Sequence, residues 1–597
     1  MLRVLYDDAA PAPPDGAPRF PEAPATFAAG FHGEEREDSE AFRWMGREGR
    51  LAFPAAPLDA ALEAGVFSPY HDLSQTLTVE VGGERRELEL AHGWGLITVP
   101  VPAGATEARL RASKPLPPAH HPGDPRELAV RLRAPRLHAD PARRESVERQ
   151  HANAVLNLRE MLEGRGELAS TPTSLGIDLH GVCNVKPPCV YCDWDVSKGL
   201  EGDAVDVPFT RETLDEWGEF FENAGGLVNC SIGEPFMMKD LDRVLDAFGE
   251  RGKSLEMATN GQILTDRNIQ KLLGRRIHLY VSLDAATAET YARLRNEKFE
   301  RILGNLRRLI AAKGGRAGLP KVHLVFMPMR ANLHELEAFV HLAAELGVDR
   351  MVLRPLNYDE GTSLDWVRGG YHFRYTAELL PWDELVRASG RAAELARRLG
   401  VELSDQMDFG GQGLEAGFAA EYERGRREAA GGAAEPSPEP GAEGASEAAE
   451  APVTASAPSP AEPPPSLGEE RLPVCLEPWK SLYILRRGVL PCCHGSAPLA
   501  AMDEYRETWN SPTLRAIRTE LAAGRFHEYC LSSEACPIVR KWRHAAPQSR
   551  SDRAFLALKR LWHRVDRLGL GVPKRLARPL RGRLLALARR ASDLIGD

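Results

Sequence analysis

Apolar and polar positions repeat with two different periods along this chain, and the change of period divides it. From about residue 25 to 135 the stretches QTLTVEVGG, RRELELAHGW, GLITVPVPAG, TEARLRAS and ELAVRLRA alternate residue by residue, with GG and PAG between them. Successive side chains of a strand point to opposite faces, so a period of two predicts half-buried strands joined by tight turns. Residues 25–140 therefore read as an all-β sandwich, opened by FHGEE and FRWMGREGRLAF, with 1–24 as a disordered N-terminus. Residues 141–171, rich in Arg, Glu, Leu and Ala, read as a helical connector.

Over 172–425 apolar strand-like runs take turns with amphipathic ones. TSLGIDLHG, GGLVNCSIG, SLEMATNG, IHLYVSLDA, VHLVFMPM and DRMVLRPLN are separated by TRETLDEWGEFFENA, LDRVLDAFGERG and ANLHELEAFVHLAAELGV. Repeated β-then-α order predicts a parallel sheet with helices outside. Residues 426–470 hold few large apolar side chains among many Ala, Glu, Pro and Ser. Such a stretch cannot offset the entropy of ordering itself and reads as a disordered linker. A compact segment, 471–543, follows. The tail, 544–597, is rich in Arg and Leu and reads as a basic amphipathic helical segment, packed on its own protein or against an anionic membrane surface.

Composition narrows the partners. With a formal net charge of −9, the chain carries no global signal for nucleic acid. No basic and apolar leader stands at the start, and no apolar run is long enough to span a bilayer, so the expectation is a reducing cytoplasm. Nine cysteines in two groups then read as metal or catalytic sites rather than disulfides. Cys183, Cys189 and Cys192 form one group. Cys475, Cys492, Cys493, Cys530 and Cys536 form the other. Cys230 stands alone in an apolar strand and reads as a small buried hydrophobe.

CNVKPPCVYC offers three thiolates and no fourth nearby. A structural zinc site needs four ligands, so zinc requires His180 or a distant residue. A three-thiolate iron–sulfur cube leaves one iron open to another ligand, and the loop follows a strand, where reactive centres of parallel sheets collect. The residues resemble the radical S-adenosylmethionine (SAM) superfamily, whose motif is C-x3-C-x2-C with an aromatic residue, here Tyr191, before the last cysteine. The first spacing is longer in this chain, with NVKPP between Cys183 and Cys189. CSIGEPFMM resembles the family's Gly-Gly-Glu-Pro segment, with Ser231 and Ile232 preceding Gly233, Glu234 and Pro235. MATNGQIL supplies the Thr-Asn-Gly strand end at Thr259, Asn260 and Gly261, and VSLDA supplies Ser282 and Asp284.

The resemblance implies a partial (β/α) barrel holding a [4Fe–4S] cluster on Cys183, Cys189 and Cys192, with SAM on its open iron. It implies binding of the methionyl amino group at Gly233, Glu234 and Pro235, and of the ribose or carboxylate at Ser282. Tyr191, Asn260, Asp284 and Arg295 join the cofactor-binding set, with a surface ion pair as the other reading of Arg295. Met327 and Leu353 to Pro355 would flank the adenine. It further implies one-electron cleavage of SAM to a 5′-deoxyadenosyl radical, hydrogen abstraction from substrate, and a flavodoxin- or ferredoxin-type electron donor.

PVCLEPWKSLYILRRGVLPCCHG, with WNSPTLRAIRTELAAGRFHEYC after it, resembles the auxiliary-cluster domains called SPASM or twitch. A full SPASM domain holds a pair of clusters, whereas five cysteines here imply one auxiliary [4Fe–4S] cluster in a small α+β domain. Its ligands would be Cys475, Cys493, Cys530 and Cys536, with Cys492 the alternative to Cys493. A zinc ribbon is the competing reading of these four. The opening of the N-terminal region resembles modules beside carbohydrate-processing enzymes, so Phe31, Trp44 and Trp94 are either packing residues or a sugar surface. The expected substrate is a small molecule, a carbohydrate or a peptide. The competing class is a non-catalytic zinc scaffold that binds a partner.

Overall fold

The alternating N-terminal stretches fold as strands, and longer ones that the alternation did not mark join them. The computed structural model describes residues 23–192, 209–406, 423–430, 467–493 and 495–539, apart from 38, 39, 59, 232, 316, 317, 355, 357–364, 469, 470, 496, 534, 535 and 537. Its first strands are β1 (Ala23–Pro24), β2 (Thr26–Glu37), β3 (Glu40–Ala52), β4 (Ala60–Ser68) and β5 (Thr76–Val81). They continue with β6 (Glu84–Glu89), β7 (Gly93–Val101), β8 (Glu107–Ala112) and β9 (Val130–His138).

All nine belong to one antiparallel network, in the order β6-β5-β8-β3-β9-β4-β7, with β1 on β9 and β2 on β3. The two separate sheets expected of a sandwich are thus one continuous sheet. The cause lies in β3, whose residues 43–45 pair with β9 while residues 48–52 pair with β8. A strand that changes neighbours midway carries its sheet round a corner. Met45, Leu51, Leu77, Val79, Leu110 and Leu132 fill the inside.

Trp44 is buried under Arg131, whose guanidinium lies 4.6 Å from the ring centre. Arg133 covers Trp94 at 4.2 Å, and Phe31 packs edge-on against Phe27 at 4.7 Å. All three aromatic residues are engaged in packing.

After the helix α1 (Pro141–Leu162), capped by the Asp140 side chain, the period changes as expected. Strands β10 (Ser174–Ile177), β11 (Gly226–Asn229), β12 (Ser254–Thr259), β13 (Ile277–Ser282), β14 (Lys321–Phe326) and β15 (Arg350–Leu353) are parallel and adjacent in chain order. A hairpin of β16 (Asp365–Arg368) and β17 (Tyr371–Arg374) stands apart, and β18 (Glu402–Asp405) then pairs with β15.

One face of this sheet, with Leu255, Met257, Leu279, Val281, Leu324 and Phe326, packs in the main core with helices such as Leu241–Glu250, Phe299–Ala312 and Leu336–Leu346. The alternate residues Glu256, His278, Tyr280, Ser282 and His323 face the other way, so the second face is polar. With strands running in chain order and no reversal, every carboxyl end opens onto the same rim.

Two strands arrive from far along the chain. β19 (Ser481–Leu485) pairs in parallel with β10, and β20 (Gly488–Leu490) turns back antiparallel on it. Tyr483 lies so close over Gly176 that a Cβ there would stand 2.1 Å from its ring. Trp479, Leu482, Ile484, Trp509 and Leu514 share the main core. The segment 471–539 thus extends the parallel sheet directly.

The N-terminal sheet meets the opposite rim, at the amino ends of the strands. Glu63 of β4 receives hydrogen bonds from Arg143 of α1 at 2.7 Å and Arg136 at 2.6 Å, while Arg143 also donates to Gly249 O at 2.7 Å. Glu40 of β3 approaches His278 of β13 at 3.8 Å.

Of the segment read as a linker, residues 426–429 are helical, and Leu467 rests among Phe42, Trp44 and Tyr70. The rest of it, the 544–597 tail and residues 1–22 lie outside the described residues. Among the described residues no helix is long and apolar enough to cross a membrane.

Candidate active site

The cysteine loop leaves the carboxyl end of β10 through Asp178 and Leu179 and is held from four directions. Cys183, Cys189 and Cys192 form no disulfide, with Cys189 buried and the other two half-buried. From β12, Asn260 Nδ2 lies 3.9 Å from Cys183 Sγ and donates to Asn184 Oδ1 at 2.8 Å. From the segment after β13, Arg295 Nη1 lies 3.6 Å from Cys189 Sγ. Val190 N donates to Leu294 O, and Cys192 N donates to Cys189 O, each at 3.0 Å.

Burial pushes the Cys183 and Cys189 thiols up, while Arg295 pulls both down. The donor set suits thiolates that a metal centre would ionise and that neighbouring donors would then stabilise. Among the described residues no three His, Cys, Asp or Glu side chains converge to hold a single metal ion.

The segment after β11 approaches the loop closely. A Cβ on Gly233 would stand 2.1 Å from His180 O and 2.7 Å from Val182 N, so only glycine fits. Glu234 N donates to Val182 O at 2.8 Å. Its carboxylate turns inward, accepting from Asn260 N at 2.8 Å and Thr259 Oγ1 at 2.7 Å. Burial pushes this carboxyl up to about 7 despite those donors. Glu234 therefore ties the β11 and β12 ends together, and Pro235 begins the short turn that follows.

At the end of β13, Ser282 is half-buried and Asp284 fully buried, the latter in the left-handed region at φ 60. Asp284 Oδ2 accepts from Arg295 Nη2 at 2.6 Å and from the Tyr191 hydroxyl, while Oδ1 accepts from Met327 N at 2.9 Å. Arg295 also donates to the Tyr191 hydroxyl and is buried, so its ion pair with Asp284 does not lie on the surface. The structure thus joins Tyr191, Asp284, Arg295 and Met327 into one network behind Cys189. Leu353 is fully buried in the core, and Pro355 and Ile232 lie outside the described residues.

The second cysteine group flanks the β19–β20 hairpin, with Cys475 before β19 and Cys492 and Cys493 after β20. The Cys493 thiol is pushed up to about 12 by loss of water around it, with Glu477, Cys475 and Cys536 adding, although the residue as a whole is exposed. Cys530 is likewise pushed up to about 12 by burial and by Cys475 and Cys536, and Cys475 to about 11 by burial, with Glu477 and Cys536 adding. Cys475 and Cys536 thus lie within electrostatic reach of each other and of both Cys493 and Cys530. Burial raises the hydroxyl of Tyr529, with Cys492 and Cys530 adding, and Cys492 and Cys493 both add to the rise at Tyr483. Cys230 lies just past β11 rather than inside it, half-buried and raised to about 12 by burial, with Asp178 and Cys493 among its charged neighbours.

Sequence reasoning missed Asn184, whose amide oxygen receives Asn260. It also missed Gln262, which donates to Asn296 Oδ1 at 3.1 Å, and the hairpin residues Trp366 and Arg368. Asn184 stands beside Cys183 and was open to notice. The hairpin carries no motif.

Residues 177–343 match the Radical SAM superfamily model. A probable GTP 3′,8-cyclase of Saccharolobus islandicus is 28% identical over 186 residues, covering 31% of this chain and 56% of that protein. The PqqA peptide cyclase of Methylorubrum extorquens is 26% identical over 239 residues, covering 39% and 56%. The chain thus spans little more than half the length of these curated relatives. Among solved structures, Streptococcus suis SuiB bound to its precursor peptide SuiA is 13% identical, with a TM-score of 0.40 over 66% of this chain and 75% of that one. The matched residues run from the end of β10 to the helix that follows β14.

Proposed function

We propose that this chain is a radical SAM enzyme with a partial-barrel core, holding a [4Fe–4S] cluster on Cys183, Cys189 and Cys192 and modifying a peptide. The observation that carries the reading is the built surround of the cysteine loop, in which Asn260 reaches Cys183 and Arg295 reaches Cys189. When bound, the cluster and SAM supply a reducing electron and a hydrogen-abstracting 5′-deoxyadenosyl group.

The chain's own residues orient and exclude. Gly233 lets the β11 segment lie against the loop, which leaves its backbone to meet an ammonium group, since the Glu234 carboxylate is engaged. Asp284 neutralises Arg295 and holds it behind Cys189. Ser282 at the end of β13 is the residue for the SAM ribose or carboxylate. The polar face below the rim offers Glu256, Tyr280 and Arg354 to a substrate. Arg354 lies over the Tyr280 ring at 5.3 Å, and the Tyr280 hydroxyl donates a hydrogen bond to Glu256.

A peptide suits this mixed face, and one relative bears the name of a peptide cyclase. The carbohydrate alternative loses its support where Arg131 and Arg133 cover Trp44 and Trp94.

The four thiols Cys475, Cys493, Cys530 and Cys536 would hold one auxiliary cluster, able to take an electron from a substrate radical and make the net reaction an oxidation. Iron and sulfide analysis after anaerobic reconstitution tests both sites. The native chain should hold two cubes, the Cys183/Cys189/Cys192→Ala variant one, and the Cys475→Ala variant one. Stoichiometric zinc and no iron in anaerobically purified protein would instead favour a metal scaffold.

A further inference from the structure

The β16–β17 hairpin lies between β15 and the helix Trp382–Leu399, far from every motif, yet it grips the cysteine loop. Trp366 Nε1 donates to Val190 O at 2.5 Å. Arg368 Nη1 donates to Cys189 O at 2.9 Å and also to Cys192 O. The guanidinium stacks on the Trp366 indole at 3.9 Å, which fixes its direction.

The hairpin is itself anchored. Phe373 is fully buried with Val190, Leu294 and Met329, and Tyr191 and Trp366 pack against them. The Tyr371 hydroxyl donates to Glu378, whose other oxygen accepts from Ala331 N at 3.0 Å. One cation thus bridges the carbonyls of two cysteines whose thiols the proposed cluster would use.

We propose that Arg368 is a positioning residue that clamps the Cys189–Cys192 turn and places a permanent positive charge beside the cluster. The inference rests on the cluster reading given above. A turn held by charged hydrogen bonds is ordered before iron arrives, so less entropy is lost on assembly. A fixed cation beside the centre also favours its more negative, reduced form.

Two measurements separate these roles from each other and from the cluster reading. The first uses iron-free full chain and follows amide hydrogen exchange of Val190 and Cys192 in the native protein, Arg368→Gln and Arg368→Lys. Loss of the two-carbonyl contact should speed exchange of both amides by at least about tenfold in each variant. That factor corresponds to about 1.4 kcal/mol, near the lower end for hydrogen bonds to a charged group. Exchange in the distant strand β5 should stay unchanged, which guards against general unfolding.

The second measurement titrates the reconstituted cluster of a Cys475→Ala background by electron paramagnetic resonance. The midpoint should fall in Arg368→Gln and fall less in Arg368→Lys, which keeps the charge. Unchanged exchange at Val190 and Cys192 in both variants would overturn the clamp. An unchanged midpoint in Arg368→Gln would overturn the electrostatic role. Failure of the native chain to bind any cube removes the cluster reading, and the exchange result still judges the clamp.

Discussion

Gly233 and Asp284 show how single positions decide this site. A Cβ at Gly233 meets backbone rather than a flexible side-chain end, so Gly233→Ala must push the β11 segment off the cysteine loop. Binding of SAM to the reconstituted protein, read by equilibrium dialysis, should weaken by more than about tenfold, since the ordered contact is lost. Gly304→Ala is the control, because it lies inside a helix with nothing within 4 Å, and it should stabilise by about 0.5–1 kcal/mol.

Asp284→Asn keeps a residue that tolerates the left-handed backbone but leaves buried Arg295 without its counter-charge. Breaking such a pair costs about 3–5 kcal/mol, read as a shift in urea midpoint at unchanged slope. The Gly, Asn and Asp positions were legible because short motifs mark strand ends. The inward turn of the Glu234 carboxylate was not legible. It depends on which of two neighbouring strands supplies the donors, and only the folded register brings Asn260 N and Thr259 beneath it.

Among the elements, the parallel strands were read from their apolar runs and the N-terminal strands from their alternation. Two arrangements escaped that reading. The corner in β3 depends on pairing partners, which a period of two cannot specify. The docking of SLYIL beside β10 joins residues some three hundred apart, and nothing local records it. Gly176→Ala tests that pairing, since the new methyl would strike Tyr483. Exchange of the β19 amides should rise to the level of exposed backbone, while β5 remains protected.

Glu63 tests the junction of the two sheets. Burial alone would raise its carboxyl, but hydrogen bonds and charges from Arg143 and Arg136 hold it at about 2 against an ordinary 4.5. A depressed acid contributes stability above its unfolded value and loses it as pH falls through the folded one. Some 3 kcal/mol should therefore disappear between about pH 4.5 and 2. Glu63→Gln should flatten that part of the stability profile, and an unaltered slope would remove the junction from the account.

Taken whole, the molecule ties its second cysteine group to the core because the β19–β20 hairpin between Cys475 and Cys492 continues the sheet past β10. The buried Trp479 and Trp509 donate to Arg165 O and Ser170 O at 3.0 and 2.7 Å, so the C-terminal segment completes the core. A chain ending at residue 430 should aggregate or elute as a large assembly on size exclusion. A monodisperse, folded product would contradict that dependence.

The measurement that decides the chemistry is formation of 5′-deoxyadenosine from SAM by the anaerobically reconstituted full chain with dithionite, followed by mass spectrometry. At least stoichiometric 5′-deoxyadenosine is expected from the native protein, none from the Cys183/Cys189/Cys192→Ala variant, and continued release from Cys475→Ala. No 5′-deoxyadenosine from native protein with its cube in place, or equal amounts from the triple variant, would contradict a radical SAM enzyme.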